Sequence, residues 1–137
     1  MPGLSHAFPP GAPPTDRAND AALRRAAGAA VGVSGAYADS PVGFWPLTGA
    51  AAALVAPLRS GGQWVLVTCR QSDEPAHAAH LRERSLTAAQ RFSLSLWRDG
   101  IDAVWVHEAL PDGNAFRCAG LPIGLSEPVG VVWVSGA

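Results

Sequence analysis

Residues 75–99, PAHAAHLRERSLTAAQRFSLSLWRD, carry the longest helical pattern in the 137-residue chain, and the rest of the sequence has to be fitted around it. Leu81, Ser85, Ala88, Ala89, Phe92 and Leu96 fall near one stripe at three- and four-residue spacing, the mark of a helix with one face on a core. Pro75 suits the first turn, where its missing N–H costs nothing, and Gly100 suits the position just past the end. Three runs read as strands. QWVLVTCR, 63–70, precedes the helix, and the apolar runs 102–106 and 129–134 follow it.

Upstream, residues 1–16 hold five prolines and read as a flexible or extended arm, leaving 17–137 as a single domain. TDRANDAALRRAAGAAV, 15–31, predicts a helix capped by Asn19 or Asp20. GVSGAYADSPVGFWP, 32–46, is a loop by its Gly, Pro and Ser content, with Trp45 as an exposed anchor for an interface. Residues 47–58 predict a short helix entered through Thr48 and stopped near Pro57; RSGG is a turn, and 111–120 holds a turn and one short helix. The order is helix, helix, strand, long helix, strand, short helix, strand. This is an α+β arrangement, a small sheet covered by helices. Three strands make a thin core with open edges, so an oligomer is expected.

Composition narrows the classes of function. With 48% hydrophobic and 15% charged residues the chain is globular, and a net charge of −1 gives no basic face for nucleic acid. Every positive residue is Arg, which excludes lysine Schiff-base chemistry and a Walker phosphate loop. Cys69 and Cys118 are expected as free thiols. The start lacks a signal-peptide pattern, and the longest apolar run, 50–58, contains Pro57 and is too short to cross a bilayer. A soluble cytoplasmic protein without membrane contact is expected.

Several short patterns carry chemistry only weakly. His77 and His80 are three apart on a helix and, with Cys69, have the types for zinc, but no Cys-x-x-Cys supports a metal site and surface histidines explain them. His107 beside Glu108 reads as a solvated pair rather than an acid–base couple. GVSGA lacks the full Gly-x-Ser-x-Gly signature, and no strand precedes GAAVGVSG as a dinucleotide fingerprint requires.

The C-terminal third is more specific. In TAAQRFSLSLWRDGIDAVWV, residues Ala88, Ala89, Gln90, Leu94, Gly100, Trp105 and Val106 fill the places of a helix-to-strand unit. In AGLPIGLSEPVGVVWVSG, residues Leu121, Pro122, Glu127, Pro128, Val129 and Gly136 match a Pro- and Gly-rich segment before a last strand. Together these resemble the FMN-dependent nitroreductase family. Gly120 and Gly124 would allow tight turns around Pro122, and Pro128 would straighten the chain entering the strand. Upstream, Ala56, Pro57, Ser60, Gln63 and Trp64 are similar to the family's first-strand segment. Arg24, Arg25, Pro41 and Val42 are similar to its paired-arginine segment. An alternative alignment makes QWVLVTCR a later strand, with the N-terminal half compressed.

The resemblance implies a reduced, dimeric nitroreductase-like fold that binds FMN and moves hydride from NAD(P)H to a small electron-poor acceptor. It implies Arg24 and Arg25 as phosphate ligands, and Arg59, Ser60 and Gln63 beside the flavin ring or ribityl chain. Trp64 either flanks the flavin or joins the core, and no catalytic side chain is singled out. The family's C-terminal extension, which embraces the partner, is expected to be missing. The partner is then a second copy or a larger flavoprotein. In the latter case the chain is a non-catalytic companion that completes the larger subunit's flavin site.

Overall fold

A computed structural model describes residues 20–31, 41–59 and 61–135. The proline-rich arm, Ser60 and Gly136 lie outside the described residues. The elements are α1 (Asp20–Val31), β1 (Val42–Leu47), α2 (Gly49–Val55) with a 3₁₀ turn (Ala56–Leu58), β2 (Gln63–Arg70), α3 (Pro75–Arg98), β3 (Ala103–Val106), α4 (Gly113–Cys118) and β4 (Ser126–Val134). The strands form one antiparallel sheet in the order β1-β2-β4-β3. The mixed α+β architecture follows the sequence, with a fourth strand added.

That fourth strand, β1, corrects the loop expected over 32–46. Pro46 and Gly43 argue against a strand, yet the register explains both. Arg70 N–H donates to the Pro41 carbonyl at 2.8 Å, so odd-numbered residues of β1 face β2 with their backbone groups. Pro46 sits at an even position, where its nitrogen points to the sheet's free edge and no ladder bond is lost. Trp45 is correspondingly buried rather than an exposed anchor, and its indole N–H donates to Thr68 Oγ1 at 3.0 Å.

Alternation along the strands divides the apolar residues into two layers. Phe44, Val65, Val67, Val132 and Val134 face α1 and α3; Trp45, Leu47, Trp64, Leu66 and Val131 face α2 and α4. At the centre of the first layer Phe92 of α3 stacks on Phe44 of β1, ring centroids 4.9 Å apart. Every member of the stripe expected on the long helix is buried. Its end is a Schellman motif: Ile101 N–H donates to the Leu96 carbonyl and Gly100 N–H to that of Trp97, with Gly100 at φ 76°. Gly120 ends α4 in the same way, with Leu121 N–H on the Phe116 carbonyl. α4 opens on Asp112, whose carboxylate accepts the Ala115 N–H at 2.9 Å.

β4 begins at Ser126, three residues before the apolar run. The register against β2 shifts between Val67 and Thr68, and the shift sets Pro128 opposite Thr68. A proline is tolerated at such a bulge because the ladder is already interrupted there. Two residues further on, Gly130 leaves space for the Trp105 ring, which covers it from β3; a Cβ at Gly130 would overlap that ring. Gly130→Val is therefore expected to destabilise the protein by about 1–3 kcal/mol through overpacking. In a Trp105→Ala background the same change should cost clearly less, as read from urea unfolding of the four proteins of the cycle.

Candidate functional site

α3 does more than cover the sheet. Beside its buried stripe, Leu86, Gln90, Leu94 and Trp97 follow one another at four-, four- and three-residue spacing and line up on a second side. With Ser93 and Trp105 they wall a groove of about 720 Å³ between α3 and β3. Leu86, Leu94 and Trp97 are exposed, Trp97 at 54%. Its indole N–H donates to the Ala103 carbonyl at 3.2 Å and fixes the ring at the mouth of the groove.

The edge of the sheet continues this surface. Ser135 N–H donates to the Asp102 carbonyl at 3.0 Å, and Ala103 pairs with Val134. Ala103 and Trp105 therefore turn their backbone groups away from β4, to the open side of β3. A half-buried strand edge beside an apolar groove has the chemistry of a docking face for another chain.

The residues singled out in the sequence do not converge in one chain. Arg24 and Arg25 lie on α1, on the α3 side of the sheet, and Arg25 pairs with Asp99 at 3.2 Å. Arg59 lies on the opposite side with its guanidinium over the Trp133 ring, 4.2 Å from the centroid. The Trp133 N–H in turn donates to the Gly61 carbonyl at 2.9 Å, which ties Gly61 to the sheet. Gln63 is buried at the start of β2, opposite Val134. Trp64 belongs to the core.

The thiols are unlike one another. Cys118 is exposed and Cys69 is buried. Burial pushes the Cys69 thiol up and the Glu127 carboxylate adds to this; the Arg82 guanidinium and a hydrogen bond with Ser85 oppose it. Cys69 is thus no thiolate nucleophile. Among the described residues no group of three His, Cys, Asp or Glu side chains could hold a metal. His77 Nδ1 lies 3.2 Å from Ser72 Oγ, and the His107 ring stacks on Trp105 at 6.4 Å.

No protein-family model and no curated protein matches the sequence. Solved structures do match. A nitroreductase family protein from Clostridium difficile 630 superposes with a TM-score of 0.67 at 11% identity, over 99% of this chain and 83% of that one. A putative NADH dehydrogenase/NAD(P)H nitroreductase from Parabacteroides distasonis gives 0.62 at 17%, over 99% and 87%. An FMN-dependent nitroreductase from Clostridium difficile R20291 gives 0.59 at 12%, over 100% and 87%. The chain has a nitroreductase-like fold, and at these identities the likeness is one of fold.

FMN requires a flat apolar wall for its ring and cations or N–H groups for its phosphate. The α3–β3 groove offers the wall, with Gln90 and Ser93 as polar contacts, but no arginine lines it. Arg25 and Arg59 are engaged with Asp99 and Trp133 on opposite sides of the sheet. The candidate residues of a single chain therefore do not fit FMN as one cradle. Sequence inspection missed the groove, although the 86, 90, 94, 97 spacing outside the core stripe was there to signal it.

The environment of the two cysteines sets two outcomes. Iodoacetamide should modify Cys118 alone in the folded protein and both cysteines after unfolding, counted by mass spectrometry. Folded Cys69 holds its proton more tightly than the unfolded chain does. Its contribution to stability is thus complete at neutral pH and is lost as pH rises from the ordinary thiol range through the raised value. Cys69→Ala should flatten the alkaline fall of Tm relative to the parent protein.

Proposed function

We infer that the chain is a subunit of a nitroreductase-like flavoprotein, with FMN bound where two chains meet. NAD(P)H would supply hydride and a small electron-poor molecule would accept it. The observation that carries this is the α3–β3 face: a ring-sized apolar groove and an open strand edge that one chain leaves uncovered. The likeness to an FMN-dependent nitroreductase supports the cofactor, and the likeness to an NAD(P)H nitroreductase supports the reductant. The incomplete cradle supports placing the flavin at a junction between chains rather than within one. No helix of the described residues is long and apolar enough to cross a membrane.

A second reading keeps the docking face and assigns no redox role to this chain. The Arg25–Asp99 and Arg59–Trp133 contacts favour it, because they occupy two of the cations a phosphate would need. The chain would then complete the site of a larger flavin-binding partner.

Sedimentation and absorbance of the purified protein separate the two. The first reading expects a dimer that carries stoichiometric yellow FMN, bleached by NADH or NADPH. Leu94→Glu should give a monomer and lower flavin content at least tenfold, since it would bury an unpaired carboxylate in the interface. A colourless protein that stays colourless on dialysis against FMN defeats that reading. Flavin bound only after addition of a larger flavoprotein subunit establishes the second.

A further inference from the structure

α3 has a third side that neither the core nor the groove uses. His80, Arg84, Thr87 and Arg91 follow at four-, three- and four-residue spacing and line a cleft of about 280 Å³. The opposite wall comes from Ala30 at the end of α1 and Val42 at the start of β1. Among the described residues, Arg84 and Arg91 make no hydrogen bond or ion pair, whereas Arg25, Arg59 and Arg117 are each engaged.

Charge is concentrated here. α3 carries Arg82, Arg84, Arg91 and Arg98 against Glu83 alone, in a protein whose overall charge is −1. Among the described residues lining the cleft, two guanidiniums stand against the one carboxylate of Glu83, so this lining is net positive. Neighbouring positions on a helix do not face each other, so Glu83 is poorly placed to neutralise Arg84. Arg84 and Arg91 are two turns apart, roughly 10 Å along the axis, and long side chains from both can meet over Thr87. Ala30, Val42 and Ala88 are buried and bring apolar walls to the cleft, which strengthens the field of the arginines there.

We propose that this cleft is an anion site that takes a phosphate group, gripped by Arg84 and Arg91 with the Thr87 hydroxyl between them. Paired guanidinium forks match the oxygens of a phosphate dianion, and the hydroxyl donates to a third oxygen. The chemistry is common to free phosphate and to the phosphate monoester of a cofactor. The site stands on its own residues and does not depend on where a flavin ring lies.

Calorimetric titration of the intact protein with inorganic phosphate, against chloride at equal ionic strength, tests it. Saturable binding specific to phosphate is expected. Arg84→Gln and Arg91→Gln should each weaken it about tenfold, and the double variant should abolish it. Glu83→Gln should tighten it severalfold by removing the opposing charge. All three substitutions are on exposed side chains, so unchanged circular dichroism serves as the folding control. An equal response to chloride, or phosphate binding that survives the double substitution, overturns the site.

Competition identifies the source. If FMN displaces phosphate and riboflavin does not, the monoester of the flavin is the ligand. If phosphate binds and FMN fails to compete, the site stands as one for free phosphate or another ester, and the flavin assignment under Proposed function is weakened separately.

Discussion

The Phe92–Phe44 stack is the contact on which the rest depends. It pins the middle of the longest helix to an edge strand of the sheet, and the buried valines of β2 and β4 pack around it. Burying each ring is worth about 1.5–3 kcal/mol relative to exposure. More consequential is what the stack does to orientation. Once Phe92 points at the sheet, helical geometry decides where every other residue of α3 points.

Three unlike surfaces are thereby distributed around one helix. The side bearing Leu81, Ser85 and Leu96 closes the core. The side bearing Leu86, Leu94 and Trp97 remains apolar and open beside β3. The side bearing Arg84 and Arg91 gathers positive charge above the end of α1. Apolar surface left in water is costly, and exposed tryptophan held in one orientation by its own N–H is costlier still. Among the described residues the opposite layer is built differently: α2 and α4 are short, and Ala51, Val55 and Phe116 pack into its core.

Much of this was legible in the residues themselves. The stripe of α3, the glycine that ends it and the proline that opens it obey strong local rules, and tertiary packing did not override them. β1 was illegible because Pro46 and Gly43 mark a loop by composition; only the pairing register shows that the proline faces away from β2. The true start of β4 was hidden by Pro128 for the same reason, since a bulge is a property of two strands and not of one. The surroundings of the arginines were the least legible. Sequence likeness drew attention to Arg24, Arg25 and Arg59, whereas which guanidinium is engaged and which is not depends on Asp99 and Trp133, residues 74 positions away in each case. No sequence pattern singles out Arg84 and Arg91, because the wall facing them comes from distant parts of the chain.

The two rims of the sheet differ in kind. Along β3 the outward-facing N–H of Ala103 and backbone groups of Trp105 can receive a further strand, the Ala103 carbonyl being taken by Trp97, while along β1 the ring of Pro46 interrupts the row of donors. An object with one receptive margin and one that refuses growth can join a mate, yet it has no means of adding a third member in line. Any pairing through β3 would therefore terminate itself, and the same proline that disguises a strand would keep the molecule from propagating into a ribbon.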